Sequence, residues 1–137
     1  MVDYKSYVTT DSIHYIVELS GCNPELLDDG EFILDLLCNA AIAANCEIVK
    51  TNYHRFDPNG VSCAVIIAES HITCHSWVIE GYMALDIFTC GDKAMPEKAL
   101  EYILKELKPV NKHVLKLNRG MNLSGQYMNY IDSKTHA

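Results

Sequence analysis

The chain has 137 residues, a formal net charge of −7, 49% hydrophobic residues and 21% charged ones. That length suits one domain with a buried core and is short for two. An acidic balance without a basic stripe excludes a nucleic-acid partner held through its phosphates, and no apolar run reaches the length of a bilayer span.

The opening residues, MVDYKSYVTTDSIHY, lack the basic start and apolar stretch of an export signal, so a cytoplasmic protein is expected. Residues 14–19 (HYIVEL) alternate in hydrophobicity and predict a first strand, closed by SGCNPE, where Asn23 before Pro24 caps a short helical turn. From Glu31 to Asn45, Ile33, Leu36, Leu37, Ala40, Ala41 and Ala44 recur at helical intervals and define one apolar stripe. Residues 46–56 read as a second strand, and the turn formers DPNG at 57–60 connect them to a third at 61–68. Further strand material runs to Thr89, where CGD breaks it.

Pro96 opens a second main helix that Pro109 ends, with Ala99, Leu100, Ile103, Leu104 and Leu107 on one face, and residues 113–118 form a last strand. The order β-α-β-β-β-α-β predicts an α+β two-layer sandwich: a mostly antiparallel sheet with two helices on one face, in a single domain spanning 1–137. The tail, residues 119–137, is expected to be irregular, with Tyr127, Met128, Tyr130 and Ile131 as its anchors. The six cysteines form no C-x-x-C pair, which argues against both a disulfide framework and a zinc ribbon.

Chemistry concentrates in AESHITCHSW, residues 68–77, where Glu69, Ser70, His71, Cys74 and His75 crowd a segment that otherwise reads as sheet. A metal site is disfavoured, because on a strand His71 and His75 lie about 13 Å apart. A hydrolase nucleophile is also disfavoured, because no G-x-S-x-G elbow frames Ser70. A third chemistry turns the serine on its own backbone. Its hydroxyl attacks the Glu69 carbonyl, the amide becomes an ester, and loss of the Ser70 α-proton to a nearby imidazole releases the upstream chain and leaves a pyruvoyl group. Ser70 and His75 are an odd number of residues apart, so a bend is expected to bring them together, whereas Ser62 and Ser70 share a face of a continuous strand. Taken singly, Ser70, His75 and Cys90 are ordinary sheet residues; their combination is what points to chemistry.

FDPNGVS, AESHITCHSW, EGYMALDIFTCGD and MPEKALEYILKEL together resemble the prokaryotic S-adenosylmethionine decarboxylases, self-processing pyruvoyl enzymes of polyamine synthesis. The resemblance implies cleavage between Glu69 and Ser70 into a 1–69 chain and a 70–137 chain, with Ser70 becoming the pyruvoyl cofactor. It implies that His75 accepts a proton during processing, that Ser62 assists, and that Cys90 donates a proton during decarboxylation of a substrate held as a Schiff base. Phe56 and Trp77 stand where the family stacks adenine, and a homodimer with sites between protomers is implied. One departure stands out: Ile79 occupies the family's substrate-binding glutamate position and Glu80 comes one residue later, which on a strand would call for a bulge. The same machinery acting on arginine or ornithine, or an uncleaved chain with a binding or regulatory role, are the competing expectations.

Overall fold

In the computed structural model, residues 10–131 are described; residues 1–9, within the segment read for an export signal, and 132–137 of the tail lie outside them. Alternation makes β1 (Ser12–Ser20) a strand, with Tyr15, Val17 and Leu19 buried and Glu18 exposed. Gly21 then reverses the chain at φ +68°, where Val110 packs so closely that any side chain would collide with it. Asn23 caps α1 (Pro24–Leu27) by accepting from the Glu25 N–H, and Asp29 caps α2 (Gly30–Ala43) by accepting from the Phe32 N–H, each at 3.0 Å. The helical stripe read from sequence is buried: Ile33, Leu36, Leu37, Ala40, Ala41 and Ala44 all lie in the core.

Four antiparallel strands follow: β2 (Glu47–Arg55), β3 (Val61–Ala68), β4 (Ser70–Trp77) and β5 (Tyr82–Cys90). Helix α3 (Pro96–Leu107) ends at Lys108 in the left-handed conformation, before Pro109 and β6 (Asn111–Arg119). The sheet has seven strands in the order β2-β3-β4-β5-β1-β6-β7, the last being Tyr130–Ile131, and every pairing is antiparallel. The expected α+β two-layer architecture is the one found. It differs from the expected element order in three places: α1 is a helix of its own, the strand material between 70 and 89 is two strands, and part of the tail pairs with β6. Tyr127, Met128, Tyr130 and Ile131 are exposed rather than anchored in the core.

The core lies between one sheet face and the helices, with Val17, Leu37, Val65, Ile72, Leu85 and Ile103 fully or almost fully buried. Each such side chain contributes roughly 1.5–3 kcal/mol by leaving water. Ser76 enters this core without penalty, because its hydroxyl donates to the Leu27 carbonyl at 2.7 Å and accepts from the Val61 N–H at 3.0 Å. Among the described residues no helix covers the opposite face, which carries half-buried polar and aromatic side chains. No described helix is long and apolar enough to cross a membrane.

Candidate active site

Glu69 is the single residue between β3 and β4, and the Ala68–Glu69 peptide is cis. Ser70 follows at φ +109°, a conformation that side-chain-bearing residues rarely adopt and that costs roughly 1–3 kcal/mol. The β4–β5 register pairs Ser70 with Thr89, which brings the next residue, Cys90, beside Glu69. Cys90 Sγ lies 3.6 Å from both the Glu69 carbonyl oxygen and Glu69 Oε2, so its S–H can donate to either, and the Ser70 hydroxyl points at Sγ from 3.7 Å. A nucleophile, its neighbouring carbonyl and a proton-bearing thiol therefore meet at one strand end. Cys90 is half-buried. Burial pushes the Cys22 and Cys63 thiols up to about 11 and raises Cys74 further, so those thiols stay protonated and inert at neutral pH.

A second cluster forms farther along β4. Register places Ser62 directly opposite His75, with Ser62 Oγ 2.7 Å from His75 Nδ1. The DPNG connection, closed by the Phe56 N–H donating to the Gly60 carbonyl, delivers Phe56 to within 5.8 Å of the His75 ring. Trp77 packs edge-on against the other side of His75 at 4.3 Å and stacks on Tyr82 at 4.9 Å. Phe56 and Trp77 both keep 41% of their surface exposed, which leaves aromatic faces free for a planar ligand. The Tyr82 hydroxyl donates to Glu18, a bond that pushes it up to about 12 and keeps it neutral.

The two clusters do not meet within one chain. Five residues of extended strand separate Ser70 from His75, about 16 Å, and the expected bend between them is absent. β4 is held straight by unbroken pairing to β3 on one side and β5 on the other. Nor do Ser62 and Ser70 share a face. The chain reverses at Glu69, so Ser62 lies in the row of His75, whereas Ser70 lies in the core-facing row of Ile67 and Thr89. Glu80 falls in the turn at residues 78–81, after β4 has ended, so no bulge is needed to present it; both it and Ile79 are exposed. Gly81, at φ +63°, closes that turn by donating to the Val78 carbonyl.

Sequence reasoning missed a third group on the open sheet face. His14 Nε2 is 2.8 Å from Asp86 Oδ1, Arg119 approaches His14 Nδ1 at 3.3 Å, and the Arg119 guanidinium lies 4.6 Å over the Phe88 ring. His71 packs on the other side of Phe88, and desolvation, followed by the neighbouring His14, lowers its pKa and favours the neutral ring. The signal for this group was the alternation of β1 and β5, which puts His14 and Phe88 opposite each other. Beside Cys90 and Glu69 opens a cavity of about 620 Å³, within the usual range for small-molecule sites. Among the described residues no three His, Cys, Asp or Glu side chains are grouped to hold a metal.

A family model described as S-adenosylmethionine decarboxylase matches residues 13–120. A protein of Thermococcus gammatolerans named S-adenosylmethionine decarboxylase proenzyme is 44% identical over 116 residues, covering 85% of this chain and 81% of that protein. One of the same name from Pyrococcus furiosus is 46% identical over 112 residues, covering 82% and 81%. The crystal structure of the adenosylmethionine decarboxylase from Aquifex aeolicus superposes with a TM-score of 0.77 at 32% identity, covering 82% of this chain and 93% of that one.

Proposed function

The chain belongs to the S-adenosylmethionine decarboxylase family, and from that premise we propose that it cleaves itself between Glu69 and Ser70 and decarboxylates S-adenosylmethionine in the cytoplasm, for polyamine synthesis. The observation that carries this reading is the Cys90 thiol 3.6 Å from the carbonyl of Glu69, next to a Ser70 held at φ +109°. Attack of Ser70 Oγ on the Glu69 carbonyl carbon breaks the peptide C–N bond and forms an ester. A thiol hydrogen bond to the carbonyl oxygen favours that attack, and breaking the bond releases the strain at Ser70. Loss of the Ser70 α-proton then expels the Glu69 carboxylate, and hydrolysis with loss of ammonia leaves residue 70 as a pyruvoyl group.

When formed, that group supplies an electrophilic carbonyl that captures the substrate amine and accepts the electrons left by carbon dioxide. Cys90 stands beside residue 70 with a proton to return to the carbon that loses carbon dioxide. Ser62 orients His75 through the 2.7 Å hydrogen bond, and the Phe56 and Trp77 rings flank it as a stacking platform for adenine.

Because Ser70 and Cys90 lie where β4 begins and β5 ends, and His75 lies toward the other end of β4, the active form in this reading is a homodimer. A second copy related by a two-fold axis brings the Ser62, His75, Phe56 and Trp77 cluster of one chain to Ser70 and Cys90 of the other. The half-buried open face of the sheet supplies a surface for that contact. Carbon dioxide release from S-adenosylmethionine, measured alongside arginine and ornithine, tests the substrate. Release from S-adenosylmethionine alone is expected, and release from arginine or ornithine instead overturns it; Ile79 at the family's glutamate position is the reason both belong in the assay.

A further inference from the structure

The family match ends at residue 120, yet the chain beyond it is built into the site. The Met121 N–H donates to Thr10 Oγ1 at 3.0 Å, and the Thr10 hydroxyl donates back to the Met121 carbonyl at 2.9 Å. Asn122 and Gln126 close a turn: the Asn122 N–H donates to the Gln126 carbonyl, the Gln126 N–H donates to Asn122 Oδ1 and the two side-chain amides pair, and the Met128 N–H returns to the Gly120 carbonyl at 2.7 Å. Pairing of β7 with β6 then fixes Tyr130 opposite Asn118. This path sets Met128 and Tyr130 in the wall of the 620 Å³ cavity that also contains Cys90 and Glu69, with Asp11 and Asp92 in the same lining. Both wall residues are apolar and well exposed, Met128 at 42% and Tyr130 at 59%, so core packing does not account for them.

A sulfonium has three carbon substituents and no N–H, so hydrogen-bond acceptors cannot recognise it by donation. Aromatic faces, polarisable sulfur and nearby carboxylates are what attract such a cation. We propose that Tyr130 and Met128 form a specificity wall that receives the sulfonium and its alkyl arms beside Cys90. This rests on the decarboxylase reading and adds to it a part of the chain outside the family match.

The test compares wild type with Tyr130→Ala, Met128→Ala and Tyr130→Phe in carbon dioxide release from S-adenosylmethionine, with inhibition by the neutral thioether S-adenosylhomocysteine measured in parallel. Tyr130→Ala is expected to raise KM about fivefold with kcat changed less than twofold, Met128→Ala to do so more weakly, and Tyr130→Phe to retain the wild-type KM. Inhibition by the neutral thioether should stay unchanged in all of them. An unchanged KM in Tyr130→Ala, equal weakening of the thioether, or a shift in oligomeric state on size exclusion without a KM effect each overturns the wall. Should wild type release no carbon dioxide, the decarboxylase reading fails by itself. Calorimetric titration of the same four proteins with S-adenosylmethionine then decides the wall separately, equal affinities overturning it.

Discussion

Ser70 and His75 lie on one straight strand but in rows that face opposite sides of it, and Ser62 rather than Ser70 is the partner of His75, at 2.7 Å. In the proposed dimer each chain supplies two half-sites. Ser70→Ala and His75→Ala proteins should each fail to cleave beyond a trace, yet a co-expressed mixture should cleave about half of its Ser70-bearing chains, as random two-fold pairing requires. Denaturing gel electrophoresis reads the fraction directly, and a mixture that stays uncleaved would contradict assembly of the site from two chains.

In the proposed mechanism Cys90 separates processing from turnover. Cys90→Ala removes the thiol proton but leaves Ser70 in place, so cleavage should still go to completion, more slowly, while kcat for decarboxylation falls by about 10²-fold or more, the usual scale for losing a positioned proton donor. A Cys90→Ala enzyme with wild-type kcat would remove the thiol from the mechanism.

Much of this arrangement was legible in the sequence because it is written in local periods. The α2 stripe, the Asn23 cap, the DPNG connection and the Pro96 start of α3 are each set by a few neighbouring residues. What escaped is non-local. Nothing in residues 68–77 says whether the chain bends or stays straight, because pairing to both neighbours decides that. The turn at residues 78–81 held the missing signal: with Gly81 as its closing residue, a hairpin pairing Trp77 with Tyr82 carries Ser70 to Thr89 and so Cys90 to Glu69. The tail reads as irregular because its apolar residues have no period, and two of them, Met128 and Tyr130, line a cavity rather than fill a core.

Glu80 sits in that turn with its carboxylate free to reach a ligand, one residue after exposed Ile79. If Glu80 takes the polar contact that Ile79 does not offer, Glu80→Gln should raise KM about tenfold, the scale of one charge-assisted hydrogen bond, and Ile79→Ala should leave it unchanged. Steady-state kinetics of the two variants check this, and an inert Glu80 places the contact elsewhere.

Asp28 ties α1 to the β2–β3 hairpin, accepting from Arg55 at 2.8 Å and from the Gly60 N–H at 3.0 Å. The Arg55 bond first, and the Gly60 bond second, hold its carboxyl below the usual range. A lowered folded-state value means stability that is present above the ordinary carboxylate pKa of about 3.9 and is lost as pH falls through the folded value. Asp28→Asn should therefore lower Tm slightly at pH 7, by about 2 °C for so exposed a pair. The gap from wild type should close in melts run below about pH 4. A gap that stays constant with pH would mean that the carboxylate charge is not what holds the hairpin.

Ser70 is proposed to turn the chain into its own cofactor, and the intact mass of the purified protein decides the matter. Two fragments meeting at the Glu69–Ser70 bond are expected, the second with an N-terminus blocked to sequencing, and neither should form in Ser70→Ala. A single unbroken chain of 15.4 kDa in the wild-type protein would contradict the proposal.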